Sequence, residues 1–180
     1  MKVIAFTGMP CSGKTEAVKV AKKMGIPIVR MGDAVWKEVK NRGLELNDKS
    51  VGFIADKMRK EHGNDIWARR TLEEIRSLKK KDCIIIDGIR NVEEVDVLKK
   101  ELGGDFILIA IDASPETRWR RAQRRGRKDD SKNLKDILER DRRELRWGLG
   151  AVIASADIVI SNEGSIRGFR QNVEEILKKI

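Results

Sequence analysis

Gly8, Met9, Pro10, Cys11, Ser12, Gly13, Lys14 and Thr15 fill the pattern G-x-x-x-x-G-K-[ST] without a mismatch. The pattern has chemical meaning in one local geometry, a strand entering a phosphate-cradling turn that opens a helix. Both flanks are present here. An apolar run over 3–7 predicts the strand, and the periodicity over 14–24 predicts the helix. The glycines let backbone N–H groups turn inward around phosphate oxygens, and the helix aims its positive end at the same point. The reading is therefore a nucleoside triphosphate site, with ATP as the expected ligand and the choice between ATP and GTP left open by the motif. Lys14 is expected on the β- and γ-phosphates and the Thr15 hydroxyl on Mg²⁺. Cys11 is read as the occupant of a variable loop position. The motif leaves open whether the phosphoryl group passes to water or to another molecule.

Along the rest of the 180 residues, short apolar runs alternate with longer amphipathic stretches. Strands are predicted over 27–30, 83–87, 106–111 and 157–160. Helices are predicted over 33–40, 49–61, 64–80 and 92–102, from 115 into an arginine-rich stretch, onward to about 147, and over 165–179. Gly43, Gly63, Gly103 and Gly104 punctuate the series. This alternation predicts an α/β fold, a five-stranded parallel sheet with helices on both faces, and the loop motif makes it one of the P-loop NTPase type. With no repeat or linker, residues 1–180 are expected to form a single domain. No apolar run approaches the roughly 20 residues that span a bilayer, so no membrane partner is expected. Cys11 and Cys83 are too few for a disulfide framework, and a lone histidine, His62, read as a helix cap or surface residue, weakens any metal centre built from Cys and His. A soluble, cytoplasmic protein is expected.

Asp87 closes the apolar strand over 83–87, and Gly88, Ile89 and Arg90 follow it. A carboxylate at the carboxyl end of such a strand points into the ligand crevice. There Asp87 either holds a Mg²⁺-bound water or orients an acceptor, while Arg90 forks onto a phosphate. The alternative is an Asp that caps the next helix and an Arg paired at the surface.

The chain carries 39 Lys and Arg against 29 Asp and Glu, a formal net charge of +10. Seven of those positive charges are Arg118, Arg120, Arg121, Arg124, Arg125, Arg127 and Lys128, in a stretch without an acid. On a helix Arg118, Arg121 and Arg125 share one face, with Gly126 as its stop. From 129 to 146 acids and bases balance. Asp136 stands four residues before Arg140 and Glu139 four before Arg143, the spacing of a solvated helix. A small basic lid over about 118–146 is expected. In it Arg121, Arg125, Arg127, Arg140 and Arg143 would neutralise the moving phosphoryl group and exclude water on closure. The competing reading is a patch for RNA or DNA, which ranks lower because the run lacks interleaved aromatics, the nearest being Trp119 and Trp147.

Taken together, these residues resemble the nucleoside-monophosphate-kinase group of phosphate-loop kinases over essentially the whole chain. The loop, the Asp87-Gly88-Ile89-Arg90 segment and the arginine-rich stretch follow one another in the group's order. Asp87-Gly-x-Arg90 is similar to the adenylate kinase segment whose arginine binds the acceptor phosphate, without that segment's proline. Residues 156–165, Ala-Asp-Ile-Val-Ile-Ser-Asn-Glu-Gly-Ser, resemble the last strand and turn of dephospho-coenzyme A kinases, which places Asn162 and Gly164 beside the nucleotide base. A mainly archaeal family of dephospho-CoA-kinase-like or adenylate-kinase-related proteins is the nearest resemblance. It is carried by Met31-Gly32-Asp33, by Asp87-Gly88-Ile89-Arg90 and by Arg140-Asp141-x-Arg143-Glu144. The resemblance implies acceptor-site helices over about 31–80, with Asp33, Arg59, Arg69 and Arg70 as candidates to meet a nucleotide-like acceptor.

The expected activity is transfer of the γ-phosphoryl of Mg²⁺-ATP to a nucleoside monophosphate or a dephospho-CoA-like molecule. A nucleotide-dependent regulatory ATPase is the first alternative, and a nucleic-acid-associated P-loop protein is the second. Neither the acceptor nor the oligomeric state is encoded in these motifs.

Overall fold

The computed structural model describes residues 1–78, 81–124 and 134–180. Strands β1 (Lys2–Thr7), β2 (Ile28–Arg30), β3 (Cys83–Asp87), β4 (Phe106–Asp112) and β5 (Ile158–Ser161) pair in parallel in the order β2-β3-β1-β4-β5. They are linked by α1 (Lys14–Lys23), α2 (Met31–Asn41), α3 (Asp48–His62), α4 (Ile66–Ser77), α5 (Val92–Leu102), α6 (Pro115–Arg124), α7 (Leu134–Arg146), α8 (Leu149–Ala154) and α9 (Ile166–Lys179). The expected α/β architecture is the observed one. None of these helices is long and apolar enough to cross a membrane.

The two-residue period of a strand decides which helices cover which face. In β1, Val3 and Ala5 pack into a core with Ile54, Trp67 and Leu98, so α2, α3, α4, α5 and α8 lie on that side. Ile4 and Phe6 face a second core with Val18, Phe169 and Val173, so α1 and α9 cover the other side. Ile84, Ile85 and Ile86 of β3 are all fully buried, as a strand covered on both faces requires. Because β1 lies between β3 and β4, the loop that leaves it opens where the connections diverge, the crevice at the carboxyl ends of the strands.

Local chemistry sets the helix starts that matter for the site. The Asn91 carboxamide oxygen accepts from the Glu94 backbone N–H at 2.8 Å, and the Glu94 carboxylate accepts in return from the Asn91 N–H at 3.3 Å, a complete capping box on α5. Asn47 caps α3 by accepting from the Ser50 N–H at 2.9 Å.

Two features depart from the sequence reading. The six-residue helix α8 has no counterpart there, since it is too short to show a 3.6-residue period. The solvated helix expected after residue 129 is solvated on one face only. Leu138 and Leu145 of α7 are exposed, but Glu144 is buried, and Arg143 turns inward to Asp48 at the start of α3 instead of outward to Glu139. Asp48 offers a bidentate carboxylate in a partly buried setting, which outcompetes an exposed i,i+4 pair.

Candidate active site

The loop between β1 and α1 is held in shape from behind. Gly8 has φ 142°, and a Cβ there would stand 2.3 Å from the Ile111 carbonyl oxygen of β4. Gly13 has φ 119°, and its Cβ would meet the Asn162 amide nitrogen at 2.0 Å. The two glycines of the motif are therefore required both by backbone conformation and by close packing. Asn162, just past β5, is buried and donates from Nδ2 to the Ser12 carbonyl at 2.8 Å. Arg121 donates to the same carbonyl at 3.0 Å and to the Asn162 carbonyl at 2.6 Å. Arg118, buried, donates to the Pro10 carbonyl at 3.2 Å and pairs with Asp141 at 2.8 Å. With their carbonyls engaged by α6 and Asn162, these peptide units are fixed in orientation.

The Lys14 ammonium donates to the carbonyls of Gly8 and Met9. Burial, reinforced by the positive charge of Arg90, lowers it from the usual 10.5 to about 8, against the opposing pull of Asp87 and Glu144. Asp87 reaches the same region because β3 pairs in register with β1, Asp87 opposite Phe6.

A second group of charges lies further along the cleft. Arg59 of α3 is 6% exposed and pairs with the fully buried Glu94 at 2.9 Å, its guanidinium 4.5 Å from the centre of the Trp147 ring. Glu94 also accepts from the Arg90 N–H at 2.7 Å, so one carboxylate caps α5, orients Arg90 and neutralises Arg59. Burial pushes the Glu94 carboxyl above its usual range, and the three donors act to keep it charged. The Arg90 side chain donates to Glu144, which is 2% exposed and stands 3.8 Å from Arg140. Arg140 is 3.6 Å from Asp48, and Arg143 holds Asp48 with contacts of 2.9–3.0 Å. Gly52 of α3 allows this approach, since a Cβ there would lie 2.9 Å from the Arg143 guanidinium carbon. Removing the charge of Glu94 leaves Arg59 buried without a counter-ion, so Glu94→Gln is expected to destabilise the fold by about 3–5 kcal/mol, read by urea unfolding.

Loop and charge network line one cleft of about 980 Å³. Lys14, Thr15, Asp33, Asp87, Arg90, Arg121, Arg140, Arg143, Asn162 and Gly164 of the expected residues all border it, as does Arg59. Arg69 does not. It is half-exposed on the outer side of α4, paired with Asp65 at 3.1 Å and with the His62 carbonyl. Arg70 is likewise engaged elsewhere, by Glu38 at 3.0 Å and by the Trp67 ring. His62 is a surface residue. Arg125, Gly126, Arg127 and Lys128 lie outside the described residues. Arg118, read as part of a mobile cationic face, instead fastens α6 to the loop backbone. The sequence reading gave no site role to Glu94, Glu144, Asp48, Gly52 or Trp147. Glu144 entered only as part of the Arg140–Glu144 segment that carries the resemblance, and Glu94 carried a local signal in the Asn91-x-x-Glu94 capping pattern.

A family model described as an AAA domain matches residues 7–138. A UPF0200 protein of Methanosarcina barkeri is 46% identical over 177 residues, covering 98% of this chain and 95% of that one. A UPF0200 protein of Methanocaldococcus jannaschii is 45% identical over 181 residues, covering 100% and 91%. This chain belongs to the UPF0200 family. Among solved structures, a shikimate kinase from Aquifex aeolicus aligns with the UPF0200 chain at a TM-score of 0.54 and 17% identity, covering 98% of this chain and 96% of that one. A gluconokinase from Sinorhizobium meliloti aligns at 0.56 and 14%, covering 99% and 92%. At these identities the likeness is one of fold, and it identifies the UPF0200 chain as an α/β P-loop protein of kinase-like architecture.

The donor set of this UPF0200 site suits a metal brought in by phosphate. Thr15 and Asp87 both line the cleft, and among the described residues no group of three or more His, Cys, Asp or Glu is placed to hold an ion alone. A Mg²⁺ there would be held by Thr15, Asp87, water and phosphate oxygens, and would supply charge neutralisation. The lowered Lys14 predicts a pH dependence. Below pH 8 the ammonium is charged and ready for phosphate. Above it the ligand-free protein has lost the proton and must regain it on binding, so Mg²⁺-ATP affinity is expected to fall by up to about tenfold per pH unit. Calorimetry at pH 8 in two buffers of different ionisation enthalpy reads that proton uptake. The same group acts oppositely on stability, which rises between pH 8 and 10.5 because the unfolded chain then binds the extra proton.

Proposed function

We propose that this protein is a small-molecule kinase that transfers the γ-phosphoryl of Mg²⁺-ATP to an anionic, nucleotide-like acceptor. The observation that carries the reading is Arg59. In the same cleft as the phosphate loop, this buried arginine has Nε and Nη1 without a hydrogen-bond partner. A buried guanidinium with unmet donors favours a ligand that accepts from it, and a phosphate or carboxylate is the natural complement. Met31, Val35, Trp36, Val51 and Trp67 line the cleft as well and would receive an apolar or planar part of the acceptor. At about 980 Å³, the cleft is at the upper end of the roughly 300–1,000 Å³ typical of ligand sites, which supports two substrates side by side.

In this reading Lys14, Arg121 and the loop amides hold the triphosphate, Asp33 and Asp87 border the reacting centre, and Arg59 and Arg90 hold the acceptor. Arg140 and Arg143 enter from α7 to neutralise the phosphoryl group in transit, the main task a protein has in this chemistry. The test is transfer of radiolabelled γ-phosphate from Mg²⁺-ATP to a panel of nucleoside monophosphates, dephospho-CoA, shikimate and gluconate, beside a control without acceptor. Label on one acceptor establishes the kinase and its substrate class. Label found only as inorganic phosphate at the control rate makes the protein a nucleotide-dependent ATPase instead.

A further inference from the structure

Glu144 has the wrong sign for its surroundings if the cleft serves only to attract phosphate. It is 2% exposed, and its two oxygens face Arg90 and Arg140. Its charge also acts on Lys14. All three are cations to which the proposed function gives a phosphate or phosphoryl group. A carboxylate among them satisfies the cations while the site is empty and repels an anion that enters. Of the other carboxylates nearby, Glu94 caps α5 and holds Arg59, Asp48 is held by Arg143 and stands 3.6 Å from Arg140, and Asp87 acts on Lys14 from the end of β3. Glu144 is also carried on α7 together with Arg140 and Arg143, within about one turn of each.

We propose that Glu144 is an internal stand-in for phosphate: its carboxylate occupies the Arg90–Arg140 anion site in the ligand-free protein and must give way before an acceptor phosphate or the phosphoryl group in transit can be held there. The inference rests on the cleft being a phosphoryl-transfer site, and it concerns how that site is regulated. With ATP alone, Arg90 and Arg140 stay partnered by Glu144 and contribute little to the γ-phosphate, so hydrolysis by water is slow. An acceptor that brings its own anion to Arg90 exchanges with the carboxylate and releases both guanidiniums from Glu144. The protein thereby limits wasted ATP without a separate regulatory domain.

The test uses inorganic phosphate as the probe. It is titrated by calorimetry into the 180-residue chain loaded with Mg²⁺-ADP, and acceptor-free ATP hydrolysis is measured in parallel. Glu144→Gln is expected to bind phosphate about tenfold more tightly, the effect of removing one like charge from the site, and to hydrolyse ATP several-fold faster. Glu144→Asp keeps the charge but sets it back by one methylene, so its phosphate affinity should fall between the two. Phosphate binding that is unchanged or weaker in Glu144→Gln, with the melting temperature retained, would overturn the proposal and leave Glu144 as a prop for Arg90. Equal tightening in the Gln and Asp variants would overturn it too, since charge would then be irrelevant. Should Glu144→Gln fail to fold, Glu144→Asp decides alone, and an affinity no tighter than wild type refutes the idea. Phosphate affinity is read without any acceptor, so a kinase assay that finds no transfer leaves this result intact.

Discussion

Lys14→Ala is expected to reduce γ-phosphoryl transfer by about 10³-fold, the scale seen when one charged donor to a transferring phosphoryl group is removed. Lys14 is the only lysine of the loop, and in the ligand-free protein its ammonium is held by the Gly8 and Met9 carbonyls, already beside the phosphate-cradling amides. Stability should not suffer. The ammonium is held below its usual range by burial and by Arg90, so its charge is disfavoured in the fold and its removal relieves that cost. The measurement pairs the transfer rate with urea unfolding. A large loss of rate at undiminished stability assigns Lys14 to the ligand. A loss of both would mean that the two carbonyl contacts are what keep the loop folded.

Arg90→Ala is expected to damage both stability and activity, for separable reasons. It removes one of the two cations that face the buried Glu144, leaving Arg140 at 3.8 Å. The cost is placed at about 3 kcal/mol, the low end for breaking a buried pair, because that second cation remains. On the proposed reading transfer should fall by about 10²–10³-fold, since the guanidinium assigned to the acceptor anion is lost. Adding Glu144→Gln separates the two effects. The double variant no longer buries an underpaired carboxylate and should regain most of the stability while its transfer stays well below that of the wild type. Recovery of transfer to the wild-type rate in the double variant would show that Arg90 acts only as a counter-ion to Glu144. The two residues are in direct contact, so their effects are expected to be non-additive, and the full cycle is needed to apportion them.

Much of the fold is legible in the chain because its signals are local. The β3 and α5 boundaries were readable to the residue, since Cys83–Asp87 is an unbroken apolar run ending in a carboxylate and Val92–Leu102 is flanked by Asn91 and a glycine pair. The boundaries of α2 were less readable, since the helix starts at Met31 with no capping side chain. Six residues gave α8 too little length to reveal a period.

The site divides in the same way. From the sequence alone came the phosphate loop, the Asp87 and Arg90 pair at the end of β3, and the presence of a concentrated positive charge. Each of these is written in neighbouring residues whose backbone geometry follows from their own chemistry. The partners of the arginines came only from the tertiary structure. Arg59 meets Glu94 across 35 residues, Arg90 meets Glu144 across 54, and Arg143 meets Asp48 across 95. No spacing rule links such pairs, because the parallel sheet and its covering helices bring them together. The same folding removed Arg69 from the cleft and turned Arg118 onto the loop backbone. Arginine is long, flexible and always charged, so its place in the sequence limits its reach but not its partner. Burial decides the partner, because a guanidinium taken out of water pairs with the carboxylate or carbonyl that the fold sets beside it.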